Sequence, residues 1–113
     1  MQYVFKEPKD PSFEKVGVVG RIFPSTSASS KVEFFTVTTE IGHETAIIEH
    51  GCDFCYYVLE GSGVFLINDL EHCCEKGDLL VIPQGTKFTY KGTLRMFVAS
   101  VPPWSEEQEE TVE

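Results

Sequence analysis

The sequence is poor in positive charge: nine Lys and Arg stand against 18 Asp and Glu, a formal charge of −9. No Lys/Arg cluster offsets that balance. Phosphate backbones and anionic leaflets would be repelled, so neither nucleic acid nor a membrane surface is an expected partner. There is one Trp and there are two Met. No apolar run approaches the ~20 residues needed to cross a bilayer as a helix. No segment carries a long apolar stripe at the helical period, and no internal repeat is visible. The first residues, Met1-Gln2-Tyr3-Val4-Phe5-Lys6, lack a basic flank before an apolar stretch. A secretory leader is therefore not expected, and the cytoplasm is the expected compartment. There the four thiols, Cys52, Cys55, Cys73 and Cys74, are expected to be reduced.

What is present is a globular composition, 42% hydrophobic over 113 residues, which suits one domain. Residues 1–31 are punctuated by Pro8, Pro11 and Pro24, with an early strand expected within Val16–Phe23. From Val32 the texture becomes short β-branched and aromatic runs separated by Gly, Pro and Asn-Asp turns. Expected strands cover Val32–Thr39, Thr45–His50, Phe54–Leu59, Val64–Ile67, Glu71–Glu75, Leu79–Ile82, Lys87–Tyr90 and Leu94–Val101. Gly61-Ser62-Gly63 and Lys91-Gly92 read as reversals, and Asn68-Asp69 as a hairpin turn. This pattern specifies an all-β sandwich or barrel. Several strands, such as Leu79-Leu80-Val81-Ile82 and Met96-Phe97-Val98-Ala99, are apolar on both faces. That implies cover from a second subunit, hence an expected homodimer, or from a folded-back N-terminal strand. The tail 105–113 holds five glutamates and one apolar anchor, Val112, and is expected to be disordered.

Two blocks carry a family resemblance. The first runs from His50 to Gly63 and ends Tyr56-Tyr57-Val58-Leu59-Glu60-Gly61-Ser62-Gly63. The second is Gly77-Asp78, four apolar residues, then Pro83-Gln84-Gly85. Their order, their spacing and the ending Val101-Pro102-Pro103-Trp104 resemble the motifs of a small cupin. The resemblance covers about 32–104 and implies a double-stranded β-helix, or jelly-roll, barrel. It leaves 1–31 as an N-terminal segment and 105–113 as a tail.

The resemblance also implies where a cupin metal would sit. Counting along the motifs gives Ile48, His50, Phe54 and Phe88 for the usual two His, Glu and third His. Three of these lack a donor atom, and one imidazole cannot hold an ion at useful affinity. No metal or other cofactor is therefore expected. With His50 and Phe54 inward, strand alternation turns Tyr56 and Val58 inward. Tyr90 follows Phe88, and Met96 with Val98 belongs to the closing strand. The expected ligand-binding residues are His50, Phe54, Tyr56, Phe88, Tyr90 and Met96, an apolar pocket with a few polar groups. Three functional readings stand open. One is a metal-free module that binds a small molecule such as a sugar derivative. Another is a metal-independent isomerase or epimerase pairing His50 with a tyrosine. The third is a metal-dependent cupin enzyme. His43 is expected on the surface, and His72 in a structural place. The Cys52–Cys55 spacing suits zinc or redox pairs, but the pair runs into a strand; Cys55 and Cys74 are expected in the core.

Overall fold

A computed structural model describes residues 1–112. It is built from nine strands: β1 Phe13–Lys15, β2 Val18–Ile22, β3 Glu33–Thr39, β4 Ala46–Glu49, β5 Asp53–Ile67, β6 Leu70–Glu75, β7 Leu79–Ile82, β8 Lys87–Val101 and β9 Glu109–Val112. All pairings are antiparallel and belong to one curled sheet, ordered β1-β2-β3-β8-β4-β9. β5 lies along the other edge of β8 and also pairs with β7 and β6.

The two longest strands explain the curl. Each was expected as two strands with a reversal between them. Instead β5 and β8 run unbroken for 15 residues and pair along nearly their whole length. Their glycines bend the ribbon rather than reverse it. Gly61 and Gly92 hold φ of 89° and 125°. A Cβ on Gly92 would lie 2.5 Å from the Ser62 carbonyl oxygen, so only glycine lets the strands cross so closely there. A register slip between Val58 and Glu60 also shifts the inward face of β5. Before it Phe54, Tyr56 and Val58 are buried; after it Phe65 is. β8 keeps one phase throughout, burying Phe88, Tyr90, Leu94, Met96, Val98 and Ser100. Asn68 and Asp69 both take positive φ, 49° and 67°, and close the β5–β6 hairpin as their sequence predicts.

The two ends differ from expectation. Residues 1–31 contribute β1 and β2, which extend the sheet from β3 rather than lie over it. The tail is not disordered over its described part. Ser105–Val112 contains a short 3-10 turn, Glu106–Gln108, and β9, which adds to the edge of β4. Composition had counted five repelling glutamates. The pairing supplies what composition omits: ladder hydrogen bonds to β4, and bonds from Trp104 Nε1 to Glu109 (2.8 Å) and from His50 Nε2 to Glu110 (2.8 Å).

Candidate functional site

The barrel is filled at one end and open at the other. The Phe65 ring stacks on Tyr90 (4.9 Å between centroids) and on Phe88 (6.5 Å), and Tyr56 meets Phe65 edge-on (5.3 Å). On the far side of Tyr56 and Tyr90 lies a cavity of about 390 Å³, within the usual range for small-molecule sites. Its walls are Phe54, Tyr56, Tyr90, Phe35, Val37 and Ile47. Its mouth carries Phe13, Lys15, Glu33, Trp104 and Glu109, and His43 completes the lining.

Of the expected site residues, Phe54, Tyr56 and Tyr90 line this cavity. Phe88 and Met96 point inward but lie in the packed core beneath it. His50 does not reach the interior. It is exposed, and its Nε2 pairs with Glu110 on the outside. Register explains the error. Ile47 pairs with inward-facing Phe88, so Ile47 and Glu49 face in, while Ile48 and His50 face out. The loop at Gly51 then restarts the alternation at Cys52 and Phe54. Counting inward positions across that loop shifted the phase by one. Glu49 holds the inner place instead, 2% exposed, with Oε1 accepting the Gly51 N–H at 2.9 Å.

The imidazole that does line the cavity is His43, expected on the surface. Gly42 is the reason. It holds φ of 112°, and a Cβ there would sit 2.2 Å from the Tyr90 carbonyl oxygen. The turn is therefore pressed against β8. Gly42 N–H donates to Thr39 Oγ1 (2.7 Å), and His43 N–H donates to the Tyr90 carbonyl (2.9 Å). Thr89 Oγ1 donates to the His43 carbonyl (2.8 Å). The ring then lies edge-on to Tyr90, 5.6 Å between centroids. A Gly-to-Ala change at position 42 meets both the clash and a disfavoured φ. We expect Gly42→Ala to cost about 1–3 kcal/mol from backbone strain alone and to lower the melting temperature by roughly 5–20 °C. An unchanged melting temperature would contradict this packing.

The ionisation states follow from these contacts. His43 Nδ1 faces the Thr45 carbonyl, which can only accept, so Nδ1 carries the proton. Nε2 then keeps its lone pair. Burial lowers the His43 pKa, opposed by the Thr45 bond and the charges of Glu109 and Glu44, and assisted by Lys15. Burial likewise pushes Tyr56 and Tyr90 well above the ordinary phenol value, with nearby Glu109 adding to both. Both phenols thus stay protonated as donors. At the mouth, Trp104 Nε1 donates to Glu109 Oε2 at 2.8 Å, and the Lys15 ammonium lies over the Trp104 ring, 4.8 Å from its centroid. The indole thereby fixes both charged groups. Burial raises the Glu33 carboxyl.

The divalent ion implied by the cupin resemblance does not fit these residues. The Phe54 and Phe88 rings meet at 6.0 Å where donors should converge, and Ile48 and His50 face away. Among the described residues no three His, Cys, Asp or Glu side chains are grouped to hold a metal. The thiols are scattered: Cys52 and Cys74 are buried, Cys73 is exposed, and Cys55, expected in the core, is half-buried on the outer face. Burial pushes the Cys52 thiol up to about 11, which leaves it unreactive. His72 is exposed on β6.

No family model matches the chain, and no curated protein matches it. Solved structures do. A nucleoside dehydratase, Pac13, superposes with a TM-score of 0.90 at 24% identity, covering 100% of this chain and 92% of its own. Three variants of the Streptomyces protein, each with uridine, superpose at TM-score 0.91 and 23% identity with the same coverage. One replaces a histidine by glutamine, and each of the others a tyrosine by phenylalanine. KdgF from Halomonas sp. superposes at TM-score 0.71 and 15% identity, over 87% of this chain and 90% of that one. At such identities the likeness establishes architecture, and the architecture is the one the two sequence blocks resemble: this chain has the cupin fold.

Proposed function

We propose that this chain is a metal-independent lyase that removes water from an uncharged nucleoside-like substrate. One observation carries the reading: a neutral imidazole with a free Nε2 shares an apolar cavity with two protonated phenols. Elimination of water needs that division of labour. A base takes a proton from carbon, the C–H electron pair becomes the new C=C, and the C–O bond breaks. The departing oxygen takes a proton from an acid and leaves as water. An imidazole base can do this only where a neighbouring carbonyl acidifies the C–H. His43 Nε2 is the base. Tyr56 and Tyr90 supply the proton and the hydrogen bond to the carbonyl oxygen as charge builds on it. Phe13, Phe35, Phe54 and Trp104 offer faces to a planar base. Glu109 and Lys15 sit at the mouth, in reach of sugar hydroxyls.

The comparisons support the reading in kind. The similar protein described as a nucleoside dehydratase has been studied as one histidine and two tyrosine variants with uridine. This cavity likewise presents one histidine and two tyrosines. The earlier binding-module reading keeps the pocket but leaves the His43–phenol arrangement without a task.

The electrostatics set the ligand's charge. Lys15 is the single cation among the lining residues, facing Glu33 and Glu109, in a chain of net charge −9. A phosphate dianion finds no bidentate guanidinium and meets two carboxyls. In a calorimetric titration we expect uridine to bind and its 5′-monophosphate to bind at least about tenfold more weakly, a difference of ~1.4 kcal/mol. Equal or tighter binding of the phosphate, or no binding of any nucleoside, would remove this reading.

A further inference from the structure

The aromatic end of the cavity holds a carboxyl group that the elimination chemistry leaves unused. β3 is in register with β8, and β8 with β5, so inward residues form rows across three strands. Phe35, Val98 and Tyr56 make one row, and Glu33, Ser100 and Phe54 make the next. Ordinary sheet spacings put Glu33 about 7 Å from the Tyr56 row along the strands and about 10 Å from β5 across them. Its side chain lines the cavity together with Phe13, Phe35 and Trp104, rings that offer faces to a planar base. Phe13 meets Phe35 edge-on at 6.3 Å and walls that end.

The other polar side chains at that end are engaged. Ser12 Oγ accepts from the Ile22 N–H (2.8 Å), and Glu109 Oε2 accepts from Trp104 Nε1 (2.8 Å). The Lys15 ammonium lies over the Trp104 and Phe13 rings, 4.8 and 5.9 Å from their centroids. Among the described residues, the Glu33 carboxyl enters no hydrogen bond and no ion pair. It is half-buried, and burial raises its pKa. An anion partly withdrawn from water without a donor is short of hydrogen bonds. A ligand N–H would supply one.

We propose that Glu33 reads the edge of the base: it accepts the ring N–H of an oxo-base such as uracil or hypoxanthine and disfavours a base whose ring nitrogen carries a lone pair there. The inference rests on the nucleoside reading above and narrows its substrate class. With the sugar beside Tyr56, the base lies among the rings and its edge meets Glu33. An ionised carboxylate only accepts. Facing the N–H of uracil, it gains a charge-assisted bond. Facing the bare ring nitrogen of cytosine, it meets a lone pair in a molecule of nearly the same shape. Stacking on the aromatic rings tolerates every base, so it carries no such preference. A polar site of this kind discriminates more sharply than an apolar wall, because the wrong ligand leaves the acceptor unpaired.

Calorimetric titration of the wild type and of Glu33→Ala with uridine, cytidine and 3-methyluridine tests this without any turnover. The wild type is expected to bind uridine at least about tenfold more tightly than either of the others. Glu33→Ala is expected to bind all three within about threefold of one another. The Glu33 side chain has no partner within the chain to lose, so the variant should fold. Glu33→Gln keeps a carbonyl acceptor and should still prefer uridine to 3-methyluridine. Wild-type binding of cytidine or 3-methyluridine within about threefold of uridine overturns the proposal and leaves the nucleoside reading intact. A preference that survives in Glu33→Ala also overturns it, because some other group then reads the edge. Absence of binding by all three overturns both.

Discussion

Replacing His43 with glutamine is expected to lower turnover by about 10²–10⁴-fold, the usual contribution of a positioned general base. The fold should survive. The turn that carries His43 is held by its backbone, through His43 N–H to Tyr90 and Thr89 Oγ1 to the His43 carbonyl, and glutamine keeps both. The matching control is His50→Ala. His50 is exposed and, among the described residues, its ring pairs with exposed Glu110, so turnover should not change and stability should shift by less than about 1 kcal/mol. If His50→Ala destroyed activity and His43→Gln did not, the base would be misassigned. The wild-type pH profile carries the same signature. His43 has its folded pKa below the ordinary value near 6.5, because burial disfavours the cation. Between the two values the unfolded chain binds more protons, so stability rises with pH there. The contribution of His43 is complete above about 6.5 and is lost as pH falls towards the folded pKa. The acid limb of kcat/KM should accordingly lie below 6.5. A limb above 6.5 would mean that carboxylates, not burial, control the ring.

The second large effect is expected from the phenols. Tyr90→Phe removes one oxygen and keeps the ring that stacks on Phe65 and meets His43. Tyr56→Phe likewise keeps the contacts to Phe65, Phe88 and Tyr90. Either variant should fold with a melting temperature close to that of the wild type. Turnover should fall by about 10²-fold or more, because a hydrogen-bond donor aimed at developing charge is lost. Uridine should still bind, since apolar contact survives. Burial holds both phenols above their ordinary range, so neither should add a basic limb to the profile below pH 10. Full activity in both variants would leave the chemistry without an acid.

The barrel was legible in the sequence because turn chemistry is local. Asn68-Asp69 specifies positive φ and a hairpin, and both residues have it. Gly77-Asp78 and Pro83-Gln84-Gly85 bracket β7 in the same way. Gly61 and Gly92 were legible as positive φ but not as bends, since a residue's own conformation does not state whether the chain reverses or only curves. The inward phase of β8 was also legible: Phe88 and Tyr90 follow one uninterrupted alternation. The phase of β4 was not, because Gly51 interrupts it and parity does not cross a loop. His43 was hidden for a different reason. Its place depends on Gly42 approaching the Tyr90 backbone, a contact between positions 48 residues apart that no local pattern records. The glycine before it was the signal available. Glu109 lay in a tail whose acidity suggested solvent, while its partners were on β4 and at Trp104.

The central claim is that a carbon acid loses water here through His43 and two phenols, without a metal. It is tested most directly by proton NMR of the chelator-treated protein in D2O with a panel of nucleosides oxidised to a carbonyl at the 3′ or 5′ carbon. The account predicts that one member loses its hydroxyl and gains a vinylic signal at a rate unchanged by added EDTA, and that His43→Gln abolishes the change. No elimination with any member of the panel, or a rate that chelation removes and a divalent ion restores, would contradict it.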